Sequence, residues 1–306
     1  MTGGDGRAIA ALRGDAPGPT LVILGGMHGN EPAGIAAAAA ALAALTVAEV
    51  RGEVVALVGN RRAVAAGRRH LGCDLNRMWT DEQIARARAA GGDPAGEPEL
   101  AELVELGAAI DAVIARARGP VHLLDLHTTS APGYPFAVVG ASAAHRRFAE
   151  AFPLPGILGL EDSLTGVLTG YYGRRGCITL AIEGGQHTTR AAADNLAAVI
   201  AIALEAAGVV RAVPGAAAAR DHLTGVRGGL PAMIEVVARH AVRAEHAFRM
   251  EPGFANLQRT AAGTLLARDT GGEIHAPFDG VLVLPLYQPD GDDGFFYGRP
   301  VEGSAG

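Results

Sequence analysis

At 306 residues the chain is long enough to bury a full core, as one large domain or two smaller ones. A hydrophobic fraction of 49% and a mean hydropathy of +0.21 exclude wholesale disorder. The net charge of −6 argues against a nucleic-acid coat, because phosphate binding needs a basic face, and with no lysine in the sequence every basic side chain is an arginine.

Two cysteines, Cys73 and Cys177, are too few for a disulfide framework, so a reducing, cytoplasmic location is expected. The first seven residues lack the basic-then-apolar order of a secretory leader. The longest apolar run, about Gly34 to Val47, is too short for a membrane span.

Taken along the chain, the apolar run Thr20 to Leu24 closes at Gly25-Gly26 and predicts a buried parallel strand. The alanine-rich stretch after Pro32 predicts a helix with proline near its first turn. Glu53 to Val58 predicts the next strand. Glu97 to Arg118 has helical spacing, with Leu100, Leu103, Val104, Ile110, Val113 and Ile114 available for one face. Pro120 to Leu126 and Cys177 to Ile182 predict two further strands, and Arg190 to Ala207 a long closing helix. Strands alternating with helices predict an α/β fold, a mixed, mostly parallel sheet flanked by helices.

Near residue 210 the pattern changes. Val213 to Ala218 predicts a linker, and Ile234 to Val242 alternates at period two. Thr264 to Ala267, Gly280 to Leu284 and Phe295 to Tyr297 are short strand candidates between glycine-rich turns. The expectation is a catalytic domain over 1–212 and a smaller, mainly antiparallel β domain over 220–306, with no solenoid or propeller repeat.

Three runs carry chemistry: Gly26-Met-His28-Gly-Asn-Glu31, Cys73-Asp74-Leu-Asn76-Arg77 and Asp125-Leu-His127-Thr-Thr. His28, Glu31, His127 and Glu183 each fall just past the C-terminal end of a predicted strand, the edge where open α/β sheets bind ligands. His28 and Glu31 are three apart, so one turn brings both to the same side. Two imidazoles and a carboxylate suit a catalytic zinc ion, which keeps a fourth position for water.

Singly, each signal is weak. A His-x-x-Glu pair is a solvated surface or a helix cap in roughly four cases out of five. Arg77 reads equally as a surface ion-pair partner of Asp74, Asn76 as a turn residue, and Glu183 as a cap before Gly184-Gly185. His187 is a satisfied polar residue or a pocket wall, and Cys73 has no evident base. Asp125 is a candidate to support a ligand histidine from behind. The combination is what points to one metal site.

Together these residues resemble the aspartoacylase and succinylglutamate desuccinylase family of the zinc carboxypeptidase-like superfamily. The likeness extends to Arg69 ahead of Arg77, Ile182-Glu183-Gly-Gly-Gln186, Gly263-Thr-Leu-Leu-Ala, His275-Ala-Pro-Phe-Asp-Gly280 and Tyr297-Gly-Arg299-Pro, nearly the whole chain in order. The resemblance implies one zinc ion per chain held by His28, Glu31 and His127, with Glu183 as general base on the water at the metal. It implies that Arg69 polarises the scissile carbonyl and that Asn76 and Arg77 hold a substrate carboxylate. A tyrosine and an arginine ahead of the catalytic glutamate would contact the substrate's far end, with Tyr172 and Arg174 as candidates among Tyr171, Tyr172, Arg174 and Arg175. A C-terminal tyrosine near the pocket would be Tyr297 or Tyr287.

The implied activity is hydrolysis of the amide bond of a small, anionic N-acyl amino acid, with no nucleic-acid or membrane partner. Homo-oligomers are compatible with the architecture. The competing readings are a metallocarboxypeptidase acting on small peptides and a ligand-binding relative that has lost catalysis.

Overall fold

The computed structural model describes residues 6–90 and 97–301. Residues 1–5, read above for a leader, and 302–306, at the end of the expected β domain, lie outside the described residues. The chain starts with β1 (Ala8–Arg13) and β2 (Thr20–Gly25), crosses through α1 (Ala33–Ala43) to β3 (Glu53–Val58), and passes α2 (Arg61–Ala66), α3 (Asp81–Ala89) and α4 (Pro98–Arg116) to reach β4 (Val121–Thr129). Next come β5 (Phe136–Val138), α5 (Ala143–Ala149), β6 (Gly156–Leu158), α6 (Leu168–Arg174), β7 (Ile178–Gln186), α7 (Arg190–Ala206) and α8 (Ala216–Arg227). The last segment holds β8 (Met233–Ala241), β9 (Arg249–Met250), β10 (Gln258–Thr260), β11 (Leu265–Asp269), β12 (Gly272–His275), β13 (Gly280–Val283) and β14 (Asp293–Pro300).

Eleven strands form one mixed sheet in the order β1-β3-β2-β4-β7-β5-β6-β8-β14-β13-β10, and β12-β11-β9 form a small second sheet. At its centre β3, β2, β4 and β7 run parallel. The chain leaves β2 for β3 on one side and later returns to β4 on the other, so the sheet has a topological switch point at β2. Side chains alternate across each strand. Leu21, Ile23, Leu124, Leu126, Leu180 and Ile182 therefore join the core under α1 and α7. Val22, Leu24, Leu123 and Leu57 join the opposite core, which also takes Leu103 and Ile110 of α4 and Tyr172 of α6.

The predicted helices and central strands match observed elements, with three differences. His127 and Glu183 lie inside β4 and β7, because these strands run about three residues beyond their apolar stretches. The linker expected over 213–218 gives way at Ala216 to α8, which packs on α7. The C-terminal antiparallel strands are continuous with the main sheet, since β8 pairs in parallel with β6 and β14, β13 and β10 follow outward. Backbone pairing with β6 joins the expected β domain to the main sheet. Among the described residues, no helix is long and apolar enough to cross a membrane.

Candidate metal centre

The site is built where β2 ends. Gly26 has φ +71°, a left-handed conformation that glycine adopts without steric cost, and it turns the chain out of the sheet. A Cβ on Gly25 would lie 2.7 Å from the carbonyl carbon of Gly34, so the start of α1 can close on the strand end only over glycine. Between them the short turn presents His28 and Glu31, and the Glu31 amide donates to the His28 carbonyl at 3.1 Å.

Glu31 sits between two histidines. His28 Nδ1 is 2.9 Å from Glu31 Oε1, and His127 Nδ1 is 3.2 Å from Glu31 Oε2. The Thr128 amide also donates to Oε2 at 2.9 Å. The outer nitrogens face aspartates: His28 Nε2 lies 3.2 Å from Asp74 Oδ1, and His127 Nε2 lies 3.0 Å from Asp125 Oδ2. Asp125 is two residues before His127 on β4, so the pleat puts both on one face. One donor atom from each of His28, Glu31 and His127 lies within 4.8 Å of the others, and all three residues are buried.

Charge follows from this packing. Burial raises the Glu31 pKa, but His28 and His127 overcome it and hold the group well below the ordinary carboxylate value. Asp74 likewise stays low, its burial outweighed by His28 and Arg69. Burial pulls His127 down, yet Asp125 and Glu31 raise it well above an ordinary histidine. Glu183 behaves oppositely. Burial is its largest influence and, with Glu31 nearby and His127 opposing, pushes it up to about 8. Glu183 is the direct cross-strand partner of His127 in the β4–β7 ladder, and its Oε2 has no hydrogen-bond partner among the described residues.

Arg69 comes from the loop after α2. Its Nη2 donates to Asp74 Oδ2 at 2.8 Å and its Nη1 is 3.6 Å from Glu31 Oε1. His28, Glu31, Arg69, Asn76, Arg77, His127 and Glu183 all line one cavity of about 130 Å³. Asn76 Oδ1 is engaged, accepting the Leu168 amide at the start of α6. Arg77 Nη2 donates to Asp293 Oδ2 at 3.1 Å.

The structure sets Tyr172, Arg174 and Tyr297 apart from that cavity lining. Tyr172 is buried under α4, with its hydroxyl donating to Asp111 Oδ1 at 3.2 Å and its ring 5.8 Å from Trp79. Arg174 lies exposed at the end of α6. Tyr297 is buried in the C-terminal part, where its hydroxyl donates to the Phe278 carbonyl at 2.9 Å. Tyr287 donates to the Glu251 carbonyl at 2.7 Å. His187 bridges two cavity-lining residues, with Nδ1 2.7 Å from Thr128 Oγ1 and Nε2 3.3 Å from Gln288 Oε1.

Sequence reasoning missed a wall made by Glu161, Thr169, Gln288, Asp292 and Asp293. The Asp/Gly-rich run 289–294 is its one visible signal, a polar turn between two strands.

The fold is of one class, the mixed α/β desuccinylase fold. The Succinylglutamate desuccinylase/Aspartoacylase catalytic domain model matches residues 17–224, and the chain belongs to that family. Comparison with curated proteins finds no match. Among solved structures, the chain is similar to a succinylglutamate desuccinylase/aspartoacylase from Rhodobacter sphaeroides, with 20% identity, 95% of this chain and 88% of that one covered, and a TM-score of 0.69. It is similar to the ectoine utilization protein EutE (DoeB) from Ruegeria pomeroyi at 18% identity, 94% and 87% coverage and a TM-score of 0.68. A succinylglutamate desuccinylase from Chromobacterium violaceum aligns at 15% identity, 94% and 86% coverage and a TM-score of 0.64. These structural likenesses speak to the fold.

Proposed function

We propose that the chain is a zinc-dependent hydrolase of the amide bond in N-acyl amino acids. The observation that carries this reading is the paired construction of the centre: two histidines converge on Glu31 through Nδ1, and each faces a buried aspartate through Nε2. That donor set fits a borderline divalent cation, with the outer carboxylates fixing tautomer and ring orientation. His28, Glu31 and His127 would hold the ion, which would supply Lewis acidity toward a water and the scissile carbonyl.

The chain's own groups do the rest. Glu183, held near neutrality by burial, accepts the proton of the attacking water and returns it to the leaving amine. Arg69, anchored on Asp74, faces the cavity and stabilises negative charge growing on the carbonyl oxygen. Asn76 and Arg77 orient the substrate's carboxylate, for which a planar guanidinium is well shaped. Tyr172 and Tyr297 have no part in this reading, because both hydroxyls are committed inside cores.

The test is metal analysis of the purified protein, followed by a screen of N-acetyl and N-succinyl amino acids for released amine. Stoichiometric zinc with chelator-sensitive amine release is the expected result. Cleavage of small peptides with no release from N-acyl amino acids would assign a metallocarboxypeptidase instead.

A further inference from the structure

We propose that Glu99 is a positioning residue, a single buried carboxylate that sets the loop carrying Arg69, Asp74, Asn76 and Arg77 against the metal centre. Glu99 lies in the first turn of α4 and is 1% exposed. Its Oε1 accepts the Leu71 amide at 2.7 Å, and its Oε2 accepts the amides of Gly72 at 3.0 Å and Cys73 at 3.4 Å. Three successive backbone N–H groups thus converge on one anion, the arrangement by which a loop wraps a fixed negative charge.

The fourth bond reaches the other half of the site. Asn60 Nδ2 donates to Glu99 Oε1 at 3.2 Å, while the Asn60 amide donates to the Gly26 carbonyl at 2.8 Å, two residues before His28. The Asn60 side chain also accepts the Ala63 amide and caps α2. One carboxylate is therefore tied to the loop that would bind substrate and, through Asn60, to the turn that offers His28 and Glu31.

The chemistry requires such a tie. Residues 67–73 form no helix or strand, and Gly72 and Cys73 are exposed, so little apolar packing holds this stretch. Yet it delivers Asp74, whose carboxylate orients both His28 and Arg69. Hydrogen bonds to an ionised acceptor are roughly twice as strong as neutral ones, so Glu99 can order a segment that packing leaves loose. Glu99 touches neither the cavity nor the three metal-ligand candidates, and it acts only through the loop.

The inference rests on the proposed hydrolase reading, but its test does not rest on activity alone. In Glu99→Gln the amide nitrogen must face at least one of the backbone N–H groups, and the loop loosens. We expect zinc affinity to fall about tenfold through the weakened Asp74–His28 contact, within the range for groups that orient a metal ligand. We also expect KM for N-acyl amino acids to rise more than kcat falls, and amide hydrogen exchange to quicken at residues 71–73.

Should Glu99→Gln fail to fold, Gly72→Ala gives the same readouts gently, because its Cβ would lie 3.3 Å from Glu99 Oε2. Faster unfolding with unchanged zinc affinity and KM would mark Glu99 as purely structural and overturn the proposal. A wild-type protein that releases no amine would sink the hydrolase reading, while zinc affinity and exchange would still judge Glu99.

Discussion

Two clusters of buried charge lie near each other in this molecule, and they are composed differently. Around Arg7, the guanidinium donates to Glu102 Oε2 at 2.6 Å and Glu105 Oε2 at 2.9 Å, and to the Val58 and Gly59 carbonyls. Arg62 completes the arrangement on Glu102 Oε1 at 2.6 Å and Glu105 Oε1 at 2.8 Å. Arg7 and Arg62 bond two glutamates, Arg61 Nη2 lies 3.9 Å from Glu105 Oε2, and every carboxylate oxygen has a donor. At the candidate metal centre, Glu31, Asp74, Asp125 and Glu183 face Arg69 and two histidines. Among the described residues Glu183 Oε2 is left without a hydrogen-bond partner, and burial drives its pKa up. Balanced charge suits the fold alone, whereas an excess of buried carboxylate suits the cation and proton acceptor of the proposed reading.

The largest expected effect falls on the unbalanced cluster. Glu183→Gln should lower kcat by about 10²–10⁴-fold with zinc content unchanged, the range for loss of a general base. Wild-type kcat/KM should rise with pH along an acid limb above the ordinary glutamate value of 4.5 and no higher than about 8, because a bound dication lowers what burial raises. An acid limb that survives in the variant would remove Glu183 from the role.

The balanced cluster should respond the other way. Glu102→Ala leaves Arg7 buried beside one remaining carboxylate and should cost roughly 3–5 kcal/mol of stability in urea unfolding. Zinc affinity and kcat per folded molecule should stay as in the wild type. A variant that loses zinc instead would show that the two clusters are coupled, and the division drawn between them would fail.

His122 sharpens the contrast on the same strand as His127. It has no charged partner among the described residues, packs against Phe148 at 4.9 Å between ring centroids, and is pushed by burial down to about 4. The unfolded chain binds this proton near pH 6.5, so between 6.5 and 4 it carries more protons than the folded chain. Stability is full above about 6.5 and declines as pH falls, by roughly 3 kcal/mol at the lower end. His122→Leu should flatten that part of the stability profile. Asp125→Asn tests the opposite histidine, and zinc affinity should drop about 10–100-fold while acid unfolding keeps its His122 limb.

How far this was legible from sequence follows the same division. Seven residues singled out from the sequence, His28, Glu31, Arg69, Asn76, Arg77, His127 and Glu183, share one cavity, because polar side chains at strand ends and turns leave local motifs. Tyr172 and Tyr297 illustrate what was not readable. A tyrosine beside a catalytic segment looks alike whether its hydroxyl meets substrate or Asp111, and only the packing of α6 under α4 separates the two. The three-residue strands β5 and β6 are too short to show alternation, so the bridge that joins β8 to the main sheet left no local signature. Asp293 was hidden for a related reason, since its partner Arg77 lies 216 residues away.

That pair supplies the smallest prediction and bears on both kinds of burial at once. Arg77 and Asp293 are 23% and 10% exposed, and Asp293 also accepts from Arg239 Nε, so the ion pair is part structural and part facing the cavity. On the proposed reading, a substrate carboxylate would compete with Asp293 for the Arg77 guanidinium. Pairs this accessible to water are worth about 0.2–1 kcal/mol, so Asp293→Asn should lower KM for N-acyl amino acids by about 1.5- to 5-fold and leave kcat unchanged. A carboxamide analogue of the same substrate should show no gain. If KM rises instead, Asp293 holds Arg77 in its working position, and the pair belongs with the balanced, structural charges around Arg7.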